Sequence, residues 1–117
     1  MRSAADTEYQ IRTELVENVQ PKRFNEGGRY HYYIRIFIEA SQSALDAVEF
    51  VKYKLHPTFR ECFRVSFDRA RSFELKLWTY GYFDIQASLV MREGHTIEIS
   101  GYVEWRVPEG MPFDDDP

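Results

Sequence analysis

Hydrophobic and polar side chains alternate with a period of two along most of this chain. Between Arg29 and Glu39, Tyr30, Tyr32, Ile34, Ile36 and Ile38 share one parity, while Arg35 and Glu39 fall on the other. Phe73, Leu75 and Leu77 alternate with Glu74 and Lys76, and then Phe83, Ile85, Ala87, Leu89 and Met91 with Asp84, Gln86 and Ser88. The last long stretch sets Ile97, Ile99, Val103, Trp105 and Val107 against Glu98, Ser100, Glu104 and Arg106. Successive side chains of a strand point to opposite faces, so the pattern predicts strands with one face in a core and one in water. Shorter alternations at Tyr9, Ile11, Thr13 and Leu15, and at Phe63, Val65 and Phe67, predict two more strands.

From Val48 onward the apolar parity slips by one, from Val48 and Phe50 to Val51, Tyr53 and Leu55. Such a slip inside one strand predicts a β-bulge. Turn-forming residues separate the strands at 25–28, 41–43, 56–58, 68–70 and 93–94, the last spaced for a tight hairpin. Residues 43–49 are the one stretch compatible with a helix, of about one or two turns. No such helix covers a sheet, so the sheets must bury their apolar faces against each other. The expectation is an all-β, immunoglobulin-like β-sandwich of about seven to eight antiparallel strands, with a small barrel as the structural alternative. One domain spans 1–117, its core at about 8–107; residues 1–6 and 109–117 read as loose ends, the latter also as the start of a linker.

A length of 117 residues suits one domain with a core that needs no disulfide or metal. Aromatic residues make up 16% of the chain, and they favour the half-buried surface of a sheet. The net charge of −4 argues against a nucleic-acid partner, whose phosphates would call for a basic surplus. Lys22 with Arg23, and Arg69 with Arg71, read as turn and edge charges. Cys62 is the single cysteine and reads as a buried, inert thiol. The N-terminus lacks an apolar signal segment, and no apolar run approaches the roughly 20 residues that span a bilayer. The expectation is a cytoplasmic chain with no membrane contact of its own.

Catalytic chemistry is sparse. His31, His56 and His95 show no metal-ligand spacing, and His31 and His95 read as exposed strand residues. No nucleophile elbow, phosphate-binding glycine loop or Cys-His pair is present, so neither a metal nor a cofactor is expected. Two junctions carry more than turns require: His56-Pro57-Thr58-Phe59, and Trp78-Thr79-Tyr80-Gly81-Tyr82-Phe83. Phe59 and Tyr80 offer two π-faces for a flat or cationic group, and Gly81 permits close approach to the backbone. Spacing alone favours the alternative, in which these aromatics cap the open end of the core.

These same two elements resemble the YEATS family, and its prokaryotic branch in particular. Members carry a strand ending in Leu-His-x-Ser/Thr-Phe, matched here by Leu55-His56-Pro57-Thr58-Phe59. A Gly-Trp/Tyr-Gly-x-Phe-type loop follows, matched by Thr79-Tyr80-Gly81-Tyr82-Phe83, with Thr79 in place of the usual first glycine. The preceding segment from His31 to Ser41 falls where the family has its long strand, and the resemblance covers roughly residues 29–105. It implies an immunoglobulin-like sandwich and, from eukaryotic members, recognition of acetyl- or crotonyl-lysine between two aromatics, here Phe59 and Tyr80. The loop backbone around Tyr80 and Gly81 would hydrogen-bond the acyl amide, with His56 and Thr58 positioning it. Prokaryotic relatives accompany signalling, membrane or defence-type domains, so a histone ligand is not implied.

Two readings of function follow. One is a non-enzymatic module that binds an acylated lysine, on a peptide or protein, or a small acyl ligand, through His56, Thr58, Phe59, Trp78, Thr79, Tyr80, Gly81 and Tyr82. The other is an accessory or assembly domain of a prokaryotic signalling or defence protein, with a vestigial slot. Its sheet face or edge would engage a protein partner or a second copy, a role to which Tyr33 and Phe37 on the polar parity of their strand point. A hydrolase relying on His56 ranks third.

Overall fold

The computed structural model describes residues 8–23 and 29–106. Eight strands and a short helix follow in order: β1 (Gln10–Leu15), β2 (Lys22–Arg23), β3 (Tyr30–Glu39), α1 (Gln42–Asp46), β4 (Val48–Lys54), β5 (Phe63–Ser66), β6 (Leu75–Thr79), β7 (Phe83–Met91) and β8 (Thr96–Val103). In the first sheet β3 is central. It pairs β1 along Ile34–Glu39, β6 along Tyr32–Ile36 and the two-residue β2 at Tyr30 and His31. The second sheet runs β5-β4-β7-β8. Every pairing is antiparallel.

The alternation reads directly onto the core. Ile34, Ile36 and Ile38 of β3 are buried, facing Val51 and Tyr53 of β4 and Ile85, Ala87 and Leu89 of β7. The result is the expected immunoglobulin-like sandwich. The β4–β7 register shifts between Val48 and Phe50, at the predicted bulge. Ser41 caps α1, its hydroxyl accepting from the Ala44 N–H at 3.2 Å, and Ala44 and Leu45 are buried beneath it. Gly94 turns the β7–β8 hairpin at φ 108°, a conformation open to glycine at little steric cost. Before β6, Ser72 and Phe73 both hold φ 57°. This rare backbone is fixed by the Phe73 N–H donating to Asp68 O at 2.8 Å and by the buried Tyr53 hydroxyl donating to Phe73 O at 2.7 Å.

Several expectations are corrected. Alternation at Phe63, Val65 and Phe67 does mark a strand, but these side chains face solvent, 59%, 47% and 70% exposed. β5 pairs with β4 so that Ser66 and Arg64 stand opposite the buried Val51 and Tyr53 and take the inward parity. Cys62, just before β5, is half-buried rather than buried. His95 lies in the hairpin turn beside Glu93, and His31, although on a strand, is half-buried. Tyr33 and Phe37 are half-covered, Tyr33 by Trp78 at 4.8 Å and Phe37 by the Arg35 guanidinium at 4.0 Å. The predicted turn at 25–28, Val107 and both loose ends lie outside the described residues. No helix among the described residues is long and apolar enough to cross a membrane.

Candidate functional site

Both singled-out junctions come to one end of the sandwich. Pairing of Lys54 with both Phe63 and Gln86 sets the β4–β5 loop beside the start of β7, and β6 turns into β7 at the same place. Between them lies a cleft of about 380 Å³. All eight predicted site residues line it: His56, Thr58, Phe59, Trp78, Thr79, Tyr80, Gly81 and Tyr82. His31, Arg60 and Phe83 complete the lining. Larger depressions of about 610 and 550 Å³ run along the seam where β1 meets β8; they share Ile11 and are otherwise mostly polar.

Each wall has its own chemistry. Phe59 is half-buried and meets Phe83 edge-on at 5.0 Å, so it caps the core and lines the cleft at once. Tyr80 is 53% exposed and stands edge-on to His31 at 5.2 Å. The polar corner is a local turn. The Phe59 N–H donates to His56 O at 3.0 Å, and the Thr58 N–H donates to His56 Nδ1 at 3.2 Å. A backbone N–H only donates, so Nδ1 is the acceptor and the ring proton sits on Nε2. The Thr58 hydroxyl lies 2.9 Å from the same Nδ1, and this short ladder orients the imidazole.

The second loop is held from inside. Buried Thr79 donates its hydroxyl to Gly81 O at 3.1 Å and accepts from the Gly81 N–H at 3.4 Å. A ligand amide that sought the Gly81 N–H would therefore compete with Thr79. Trp78 shows its ring to the outer face of the first sheet, against Tyr33 and beneath the Lys22 ammonium at 5.6 Å, and meets the cleft at its rim. Tyr82 is a latch: its hydroxyl donates to Trp105 O at 2.6 Å and its ring meets Trp105 at 4.7 Å.

Sequence reasoning passed over His31 and Arg60. Arg60 directly follows Phe59, but an arginine after a turn carries no distinctive pattern. His31 reaches Tyr80 only because β3 and β6 pair with Tyr32 opposite Thr79, a register with no local signature. Among the described residues no group of three or more histidines, cysteines or carboxylates is placed to hold a metal ion.

A family model for the prokaryotic YEATS domain (pYEATS) matches residues 32–104, more than half of the chain. The chain belongs to this family. The match contains both loop elements of the cleft, whereas His31 lies one residue before it. Solved YEATS structures share the fold. The Yaf9 YEATS domain recognizing H3K122suc peptide aligns with a TM-score of 0.57 at 20% identity, over 83% of this chain and 70% of that one. The yeast AF-9 homolog protein Yaf9 gives 0.59 at 20% identity, over 85% and 66%. The Yaf9 YEATS domain bound to H3K27ac gives 0.57 at 18% identity, over 86% and 71%. No curated protein matches the chain.

Proposed function

We propose that this YEATS domain is a non-enzymatic binding module that holds an acylated lysine, acetyl- or crotonyl-like, in the cleft between Phe59 and Tyr80. The observation that carries the reading is the make-up of the lining, which combines aromatic rings, a histidine–threonine turn and an arginine and, among the described residues, no carboxylate. Acylation removes the lysine charge and leaves a planar amide with an apolar extension. That group gains from aromatic faces, whereas an ammonium would shed its water and meet no counter-charge. Yaf9 domains solved with acylated peptides share this fold, which supports the kind of ligand.

Titration of acetyl-, crotonyl- and unmodified-lysine peptides tests the reading. Both acylated peptides should bind and the unmodified one should not. Tyr80→Ala should weaken acyl binding roughly three- to tenfold, the worth of one aromatic contact. Tyr80 is the cleaner probe, since Phe59→Ala also removes a contact from Phe83. Equal binding of all three peptides, or an unaffected Tyr80→Ala variant, refutes it.

A second reading, self-association through the second sheet, draws on a different surface. Phe63 and Val65 are exposed on the edge strand β5 and Phe67 just after it, with Phe50 packed on Phe67 at 5.1 Å. An edge strand with one apolar face is a ready template for pairing with a second copy. Sedimentation should then show a concentration-dependent dimer that Val65→Lys abolishes; a monomer at all concentrations rules this out.

A further inference from the structure

We infer that the cleft takes its acyl-lysine from an acidic sequence context and disfavours basic flanks; this rests on the acyl-binding reading above. Three cations lie in the lining or against its aromatic residues. Arg60 lines the cleft, the Arg29 guanidinium lies 5.1 Å from the centre of the Tyr80 ring, and the Lys22 ammonium lies 5.6 Å from that of Trp78. Among the described residues none of the three is in an ion pair. Four arginines elsewhere do find carboxylates, Arg12 with Glu39, Arg35 with Glu14 and Glu74, Arg69 with Asp46 and Arg71 with Asp68, while Arg64 and Arg92 donate to backbone carbonyls.

Acidic residues are in excess over the chain, 19 against 15 basic, yet among the described residues none lines this cleft. Glu61 and Asp84 adjoin lining residues in sequence, but neither contributes to the lining. Arg29 and Lys22 are held over aromatic faces, an arrangement that fixes a cation without neutralising it. Once the acyl group is in the slot, the peptide around it must cross this rim. Carboxylates on either side of the modified lysine would complete the missing pairs, while lysines or arginines would meet like charge. Exposed pairs are each worth roughly a two- to fivefold change in affinity and are screened by salt.

The test uses two peptides with the same central crotonyl-lysine, one flanked by aspartate and glutamate and one by lysine and arginine. At low salt the acidic peptide should bind roughly fivefold tighter or better, and high salt should shrink the gap. The double variant Arg29→Glu, Arg60→Glu should reverse the order, with circular dichroism checking that it is folded. The wild-type comparison stands alone if that variant fails to fold. Equal or tighter binding of the basic peptide by wild type overturns the inference and leaves the acyl-lysine reading intact. Failure of both peptides to bind removes both.

Discussion

Position 81 holds a glycine that neither the backbone nor the packing requires. Its φ is outside the left-handed region, and a Cβ built there would meet nothing within 4 Å. Gly81 also lines the cleft, so a missing side chain there suits close approach of a ligand. Gly81→Ala should therefore fold with unchanged stability, or gain up to about 1 kcal/mol from a less flexible unfolded chain. The same methyl should weaken acyl-peptide binding roughly tenfold, as overpacking does in a closely fitted slot. Denaturant midpoints and calorimetric titration read the two effects separately, and an alanine variant that binds like wild type would remove this wall from the site. The eight residues gathered around the cleft were legible because each belongs to one of two short local motifs. His31 was not, since strand pairing rather than sequence proximity brings it to Tyr80.

Apart from the two-residue β2, strand existence was written in the alternation, and for β3 and β7 so was the buried face. For β5 the face was not. Phe63, Val65 and Phe67 satisfy a period of two, yet hydrogen-bonded register with β4 assigns Arg64 and Ser66 to the inside, and a one-residue change of register swaps every side chain. The bulge in β4 was legible because it breaks the parity within a single strand. One contact that locks β4 to the opposite sheet was not: Tyr53, inward-facing and buried, donates its hydroxyl to Phe73 O ahead of β6. Burial pushes its ionisation well above the ordinary tyrosine value, against a smaller opposing pull from Arg35. A group whose ionisation is raised by folding stabilises fully below its unfolded value and loses that contribution as pH rises. Tyr53→Phe should cost about 1–3 kcal/mol at neutral pH by stranding the Phe73 carbonyl. Above pH about 10 the gap between wild type and variant should narrow by up to about 1.4 kcal/mol per pH unit. Denaturation across that range checks it, and a gap that stays constant contradicts the assignment.

The two sheets meet unequally around their perimeter. Among the described residues β5 is unpaired at one edge; at the opposite edge of the same sheet β8 closes onto β1 of the first sheet. Gly101 makes that closure possible. It lies on the inward parity of β8, between Ile99 and Val103, and a Cβ there would stand 3.2 Å from Cβ of Ile11. The glycine has no left-handed φ, so its role is close approach rather than backbone freedom. The seam also ties the cleft to the core, because the neighbouring groove is shared by Ile11, Tyr82 and Trp105, and Tyr82 lines the cleft as well. Gly101→Val should drive the sheet edges apart and cost about 1–3 kcal/mol, as overpacking does. For a domain near this size, each 1 kcal/mol lowers Tm by roughly 4–8 °C. Pairing the change with Ile11→Gly, which removes the opposing Cβ and the branches beyond it, should recover part of the loss if the collision is its cause. Additive losses in the double variant would show that Gly101 serves its strand and not the seam.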